Sequence, residues 1–266
     1  IALLIFTLPL SSISAFAKEE KEEKGGINIE ARSALLLEPK SGKIIYEKNA
    51  DEKFAPASVT KIMTMLLAIE AVDSGKIKLD DKITCSENAK KMGGSTMLLD
   101  TGEIRSVEDI LKGIAIASGN DAAVAMAEYL GGSEDSFVEL MNKRAQELGM
   151  KNTSFANTIG IEAEGHYSTA KDMTLLLKYA LKNEIFKKVF TTEHYISSNN
   201  NHDMYGPLKY FKGLDMNYVL GGKTGYTEIA GLCLASLATY NDVDYLLVTI
   251  GADYEDRKQH FLDQKK

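Results

Sequence analysis

The chain has 266 residues, 44% of them hydrophobic, which is enough to form one large folded core or two smaller ones. Its formal net charge is −7 at pH 7, and no block of basic residues is large enough to offset this charge locally. Because nucleic-acid binding depends on clustered Lys and Arg that neutralise phosphates, we expect no nucleic-acid partner.

The N-terminal stretch IALLIFTLPLSSISAFA, residues 1–17, combines an apolar run with a small-x-small ending at Ala15 and Ala17. This pattern indicates a secretory signal peptide that is truncated at its start, because neither an initiating Met nor a basic region precedes it. An uncleaved anchor is the alternative, but the run is shorter than the roughly 20 apolar residues that span a bilayer. Residues 18–27 are expected to form a charged linker and residues 28–266 the folded domain.

Strand patterns occur near both ends of the chain, and helix patterns lie between them. Pairs of alternating apolar segments flank short turns and predict two hairpins, 33–38 with 43–48 and 231–240 with 244–252. Polar capping residues precede amphipathic segments that predict helices, namely Ser106 before 107–117, Ser133 before 134–148 and Thr169 before 170–183. We therefore expect an α+β domain, with one antiparallel sheet built from both chain ends and a mostly helical insertion beside it.

A further buried helix is predicted to begin near Ser58, because Pro56 precedes it and apolar residues then recur at helical spacing as far as Gly75. Residues three apart share one helix face, so the Ser58 hydroxyl and the Lys61 amine are expected to meet. The free amides at a helix N-terminus would also favour a developing oxyanion there. A serine cap followed by a lysine is common, however, and the pair alone is a weak catalytic signal.

Two other polar motifs strengthen this signal. Ser118 and Asn120 lie between two apolar helices, in IASGNDAA, where a plain turn would be the ordinary interpretation. Lys223, Thr224 and Gly225 lie beside the C-terminal hairpin, in GGKTGYT, and the glycine would let another backbone approach the sheet closely. In this order, S-x-x-K, S-x-N and K-T-G form the known signature of serine β-lactamases and penicillin-binding proteins.

From about Ala31 to Leu262 the chain resembles the D-alanyl-D-alanine carboxypeptidases of peptidase family S11, the low-molecular-mass penicillin-binding proteins. The segments that carry the resemblance are FAPASVTKIMT, MGGSTMLL, IASGNDAAVAMAEYLGGS, MNKRAQELGM, HYSTAKDM and GGKTGYTEIAGLCL. The resemblance implies a β-lactamase/penicillin-binding-protein-like fold and secretion to the cell surface or periplasm. It further implies removal of D-alanine from peptidoglycan stem peptides ending in D-Ala-D-Ala, with β-lactams as covalent inhibitors.

A mechanism follows as a hypothesis. Ser58 attacks the D-Ala-D-Ala carbonyl, and a neutral Lys61 takes its proton. Because the ordinary lysine pKa is about 10.4, the Lys61 pKa must be lowered, which a second ammonium at Lys223 in the same cleft would do, with partial burial adding to the effect. By resemblance, Ser118 relays the proton to the leaving amine and Asn120 hydrogen-bonds the substrate amide.

The remaining expected site residues bind the substrate. The backbone amides of Ser58 and Tyr226 are the expected oxyanion hole. Gly225 is also expected to lie against the substrate, and Thr224 with Arg257 would hold the free carboxylate of the substrate. Arg257 is assigned by its approximate position in the family, and the alternative for it is an arginine that is merely solvated in an acidic loop.

The histidines and cysteines give no metal-binding pattern, since neither HExxH nor paired CxxC spacing occurs, and no cofactor is expected. His166 in GHYSTA could suggest a Ser-His-Asp triad, but its place in a loop before a helix favours packing and hydrogen bonding. Two outcomes are open for Cys85 and Cys233. A disulfide would suit a secreted protein, whereas the apolar run around Cys233 favours a buried thiol.

Two other functions fit the same fold. A secreted serine β-lactamase would share the acylation chemistry but needs an acid that activates water, and Glu162 and Glu164 lie near the right stretch without the usual ExxLN pattern. A non-catalytic cell-wall binding or sensor protein would be expected to have lost some of the motif residues, all of which are present.

Carboxypeptidases of this family commonly continue through a closing helix, a small β domain and an amphipathic membrane-binding helix. The sequence ends at FLDQKK. The domain is therefore expected to be truncated at its end, and membrane association would require segments that lie outside this chain.

Overall fold

The computed structural model describes residues 26–199 and 202–266. The predicted signal peptide, residues 1–17, and most of the predicted linker lie outside these residues. Among the described residues, the strands are β1 (Ser33–Glu38), β2 (Lys43–Lys48), β3 (Lys82–Thr84), β4 (Ile104–Ser106), β5 (His194–Ile196), β6 (Asp203–Tyr205), β7 (Val219–Thr227), β8 (Gly231–Tyr240) and β9 (Val243–Ala252). The helices are α1 (Lys61–Asp73), α2 (Glu87–Lys90), α3 (Val107–Ile116), α4 (Asn120–Gly131), α5 (Glu134–Glu147), α6 (Ala170–Ala180), α7 (Glu184–Phe190), α8 (Leu208–Gly213) and α9 (Gln259–Lys265).

The main sheet joins the two ends of the chain, as the sequence predicts. Its strand order is β2-β1-β9-β8-β7, and every neighbouring pair is antiparallel. The N-terminal hairpin pairs with the C-terminal one through β1 and β9, where Leu35 lies opposite Val248. This arrangement leaves β7 at one edge of the sheet, so part of its backbone has no strand partner.

The predicted helix starts are confirmed by their caps. The side chains of Ser106, Ser133 and Thr169 each accept a hydrogen bond from the backbone N–H three residues further on. The helix predicted for 170–183 ends earlier, at Ala180. It ends there because the Asn183 side chain accepts the N–H groups of Ile185 and Phe186 and so begins α7.

Helix α1 lies in the core and packs against α3, α4, α5, α6 and α7. Its large buried apolar side chains are Ile62, Met63, Met65, Leu66 and Ile69. A side chain of this size contributes about 1.5–3 kcal/mol when it is fully buried, so the helix is firmly held. A 3-10 turn, Ala57–Thr60, precedes it directly and is fixed by the same packing.

Cys85 and Cys233 are both free and buried, so they are thiols and do not form a disulfide. Burial raises the pKa of Cys85 to about 11 and that of Cys233 to about 12, so neither is a nucleophile near neutral pH. In the described part of the chain, no helix is both long enough and apolar enough to cross a membrane.

Candidate active site

Ser58 and Lys61 meet at the start of α1. The Lys61 Nζ atom lies 2.9 Å from Ser58 Oγ, so the spacing of three residues does bring the two groups into contact. Ser58 lies in the 3-10 turn rather than in the α-helix itself. Ala57 before it has a left-handed φ of 46°, which costs a non-glycine residue about 1 kcal/mol or more and is typical of functional sites.

The Lys61 amine donates hydrogen bonds to three acceptors, and the residue is fully buried. Besides Ser58 Oγ, its Nζ atom donates to Asn120 Oδ1 at 2.7 Å and to the Ile159 carbonyl at 3.0 Å. Three acceptors match the three N–H groups of an ammonium. In the neutral amine, two N–H groups remain with Asn120 and Ile159, and the lone pair faces Ser58 Oγ. The geometry therefore suits a base that removes the serine proton.

Burial is the main cause of the low Lys61 pKa. It holds that pKa well below the ordinary value, the Lys223 ammonium lowers it further, and Asp121 opposes both effects. From sequence alone, the charge of Lys223 is expected to be the larger cause and burial the smaller. The structure reverses this order because Lys61 is fully enclosed. Burial also lowers the pKa of Lys223 itself, to about 7.

Asn120 is held with its amide oxygen towards Lys61. Its Nδ2 group donates to the Gly93 carbonyl at 2.6 Å, and its backbone N–H donates to the Ser95 carbonyl at 2.7 Å. Ser118, two residues earlier, has a left-handed φ of 54° and accepts a hydrogen bond from Lys223 Nζ at 2.8 Å. The turn between α3 and α4 thus connects to both lysines.

Lys223, Thr224 and Gly225 lie on β7, which runs directly against the 3-10 turn. A Cβ atom on Gly225 would lie 2.8 Å from the Ser58 backbone nitrogen and 3.0 Å from the Ala57 Cβ atom. Only glycine allows this approach without a shift of the backbone. The close approach predicted at this glycine therefore occurs, and the approaching backbone is the turn that carries Ser58.

All nine candidate site residues lie at one cleft of about 470 Å³. Those that line it are Ser58, Ser118, Thr224, Gly225, Tyr226 and Arg257. Those that lie buried beneath it are Lys61, Asn120 and Lys223. The cleft thus has hydroxyl groups and a cationic side chain on its surface and two amines behind them.

His166 is placed for packing and hydrogen bonding. Its Nδ1 atom accepts the Ala156 N–H at 3.0 Å, so the ring proton is on Nε2, which donates to Thr60 Oγ1 at 3.0 Å. Burial lowers its pKa to about 4. It supports the turn that carries Ser58 but is not bonded to Ser58, in keeping with the structural role.

The segment 157–161 is a part of the site that the sequence pattern does not reveal. The Asn157 side chain accepts the N–H groups of Ile159 and Gly160, which turns the Ile159 carbonyl towards Lys61. A Cβ atom on Gly160 would lie 1.8 Å from the Ala57 carbonyl oxygen. Asn157 and Gly160 in ANTIG are ordinary turn signals, and nothing in them indicates which side chain the turn will meet.

A family model described as D-alanyl-D-alanine carboxypeptidase, Peptidase_S11, matches residues 17–254. The D-alanyl-D-alanine carboxypeptidase DacF of Bacillus subtilis (strain 168) is 49% identical over 245 residues, which cover 90% of this chain. The match covers 62% of that relative, so the chain spans less than two thirds of its length.

Two solved structures are similar over most of the chain. Penicillin binding protein 5 from Haemophilus influenzae is 31% identical with a TM-score of 0.83, covering 90% of this chain and 70% of that one. Penicillin-binding protein D2 from Listeria monocytogenes, in its ampicillin-bound form, is 25% identical with a TM-score of 0.79. That match covers 89% of this chain and 95% of the other.

Proposed function

The chain belongs to the D-alanyl-D-alanine carboxypeptidase family, peptidase S11, and on that premise we propose that it removes the terminal D-alanine from peptidoglycan stem peptides. The observation that carries the proposal is the contact of 2.9 Å between Ser58 Oγ and a fully buried Lys61 amine. A serine hydroxyl needs an adjacent base to become a nucleophile, and this amine is of the right type and in reach.

In the acylation step, the Ser58 O–H proton passes to Lys61 as Oγ attacks the carbonyl carbon of the penultimate D-alanine. The carbonyl oxygen becomes an oxyanion, which the backbone amides of Ser58 and Tyr226 stabilise. The C–N bond to the terminal D-alanine then breaks, and the proton reaches the leaving amine through Ser118. Water hydrolyses the Ser58 ester in a second step and frees the shortened peptide.

Substrate recognition is divided between the two sides of the cleft. Asn120 binds the substrate amide on the helical side. Thr224 and Gly225 present the edge strand β7, and Thr224 with Arg257 takes the terminal carboxylate. Lys223 donates to Ser118 Oγ, so it orients the relay hydroxyl in addition to lowering the Lys61 pKa.

β-Lactams are proposed as covalent inhibitors that acylate Ser58 by the same route. The similar Listeria protein has a structure with ampicillin bound, which supports this proposal. Because the substrate is a cell-wall polymer, we place the working enzyme outside the cytoplasm, at the cell surface or in the periplasm, after secretion.

A β-lactamase would require a carboxylate beside the acyl ester. Glu162 and Glu164 are both exposed, and among residues 26–199 and 202–266 no hydrogen bond joins a carboxylate to Ser58 or Lys61. We therefore expect a penicillin adduct to be lost only over many minutes, whereas rapid turnover of penicillin would favour the lactamase.

The test is to incubate the purified domain with diacetyl-Lys-D-Ala-D-Ala and measure D-alanine release, and to label the same protein with a fluorescent penicillin. Ser58→Ala is expected to abolish both signals. Lys61→Arg keeps the positive charge but cannot accept a proton, so we expect acylation to fall about 10²- to 10⁴-fold.

Lys90→Arg is the matched control, since Lys90 is an exposed lysine paired with Asp100, and it should label like the wild type. Labelling of Lys61→Arg at a near wild-type rate would show that Lys61 is not the base. Labelling without D-alanine release would favour the binding or sensor protein.

A further inference from the structure

One wall of the cleft is a stack of planar groups centred on Tyr254. The ring centroids of Tyr226 and Tyr254 are 4.2 Å apart with 22° between the ring planes. The Arg257 guanidinium carbon lies 5.4 Å from the centroid of the Tyr254 ring. All three side chains line the same cleft as Ser58, so the stack is part of the surface that a substrate would meet.

The sheet explains how residues so far apart in sequence reach each other. Tyr226 on β7 lies opposite Leu232 on β8, which in turn lies opposite Ala252 at the end of β9. Tyr254 follows Ala252 by two residues and reaches across the end of β8 to Tyr226. The Tyr254 ring is therefore placed by the register of three strands, although the loop that carries it is exposed.

Among the residues that the structure describes, Arg257 has no carboxylate partner, although it lies in the acidic loop DYEDRK. Asp253 accepts the Glu255 N–H at 3.0 Å, and Asp256 accepts the Lys258 N–H at 2.9 Å, so both of these acids shape the loop backbone. In the described part of the chain, no ion pair involves Arg257. The N–H groups of Arg257 are therefore available to an anion in the cleft, while its guanidinium lies over the ring of Tyr254.

We propose that Tyr254 is a positioning residue that holds the Arg257 guanidinium on the wall of the cleft and thereby sets the preference for peptides with a free terminal carboxylate. The inference rests on the proposed function, in which Arg257 takes that carboxylate. Arginine is flexible, and a planar aromatic face restricts the guanidinium by cation–π and stacking contact. Without the ring, the guanidinium would spend less of its time where two parallel hydrogen bonds to a carboxylate can form.

The test compares two substrates, diacetyl-Lys-D-Ala-D-Ala and the same peptide with a C-terminal amide in place of the carboxylate. For Tyr254→Ala we expect kcat/KM to fall about tenfold for the acid, mainly through KM, and less than about twofold for the amide. Tyr254→Phe keeps the ring and should restore the wild-type ratio. In the Arg257→Gln background, Tyr254→Ala should have no further effect on the ratio of the two kcat/KM values, because the guanidinium that Tyr254 positions has been removed.

Tyr240→Ala is the matched control, since Tyr240 is an exposed tyrosine at the end of β8, outside this cleft. It should leave the ratio unchanged, and unfolding temperatures of all variants should agree within a few degrees. Equal losses for acid and amide, or additive effects of the Tyr254 and Arg257 substitutions, would overturn the inference. So would loss of discrimination in Lys258→Gln but not in Arg257→Gln.

If the chain is not a carboxypeptidase, the two peptides give a different result from the one that overturns the role of Tyr254. In that case the wild type would release neither D-alanine from the acid nor D-alaninamide from the amide. The role of Tyr254 would then be measured from the labelling rates of penicillin G and its methyl ester, which differ in the same carboxylate. A Tyr254→Ala variant with the wild-type ratio of these two rates would refute the inference independently of peptide turnover.

Discussion

Burial and the charge of Lys223 together keep the Lys61 pKa low over a range of pH. Near neutral pH, Lys223 is divided between its charged and neutral forms because burial lowers its pKa to about 7. At lower pH Lys223 is charged and opposes protonation of Lys61. At higher pH Lys223 loses its charge and this effect disappears, but burial alone keeps the Lys61 pKa low. The base therefore does not depend on a single neighbouring charge.

His166 should make the stability of the fold depend on pH. Its pKa is lowered from 6.5 to about 4 by burial, so the folded protein binds this proton less readily than the unfolded chain. The contribution is fully present above about pH 6.5 and is lost as the pH falls towards 4. Between about pH 7.5 and about pH 4, we expect this residue to remove about 3 kcal/mol from the free energy of unfolding.

Urea unfolding of the wild type and of His166→Gln at both pH values measures this difference. Glutamine offers an acceptor and a donor but does not titrate, so the variant should lose about 3 kcal/mol less than the wild type. His260, whose pKa burial also lowers to about 4, titrates in both proteins and cancels. Parallel curves for the two proteins would be incompatible with the buried neutral ring.

At the scale of elements, the site is a junction between the 3-10 turn, the segment 157–161 and the edge strand β7. Glycines at both contacts let the backbones touch, Gly160 from one side and Gly225 from the other. The turn is therefore clamped, which explains how Ala57 is kept in a left-handed conformation.

Gly160→Ala should disrupt this junction. Its new Cβ atom would lie 1.8 Å from the Ala57 carbonyl oxygen, and its φ of 92° is unfavourable for alanine. We expect a loss of at least about 3 kcal/mol in the free energy of unfolding, together with loss of penicillin labelling. Gly165→Ala is the control, since Gly165 has a φ of 78° with open space around it, and should cost only about 1–2 kcal/mol. Similar behaviour of the two variants would show that the clamp is unimportant.

Local chemistry explains which elements are predictable from sequence. The caps at Ser106 and Thr169 are encoded within four residues, and the spacing of Ser58 and Lys61 within one turn, so both are predicted correctly. Strand β7 is not, because GGKTG lacks the alternating bulky residues that mark a strand and is held in place by β8. The Ile159 carbonyl is missed for a related reason, since any residue supplies a carbonyl and only the fold decides where it points.

At the scale of the whole molecule, the two chain ends are tied together by a buried carboxylate as well as by the sheet. Asp263 in α9 is 3% exposed and accepts the backbone N–H groups of Glu30 at 3.1 Å and Ala31 at 2.8 Å. The sequence predicts the joined sheet from its two hairpins. It does not predict this tie, because a single aspartate in a polar segment carries no pattern.

Asp263→Ala should therefore destabilise the whole domain. It removes a charged acceptor and leaves the buried Ala31 N–H and the partly buried Glu30 N–H unpaired, and we expect a loss of about 2–4 kcal/mol in the free energy of unfolding. Asp51→Ala is the control, because Asp51 also makes a long-range contact, an exposed ion pair with Lys171, and should cost less than about 1 kcal/mol. Urea unfolding measures both, and equal small losses would mean that the buried tie contributes little.

The contact between β7 and the turn that carries Ser58 also governs when the protein becomes reactive. The groups that surround the serine come from the beginning, the middle and the end of the chain, and the last of them needs β8 and β9 to align it. In the proposed mechanism, a chain whose C-terminal strands have not yet formed therefore carries an inert hydroxyl. Ser58 becomes reactive only when the final strands have formed, so a covalent adduct at this serine identifies a molecule that has finished folding.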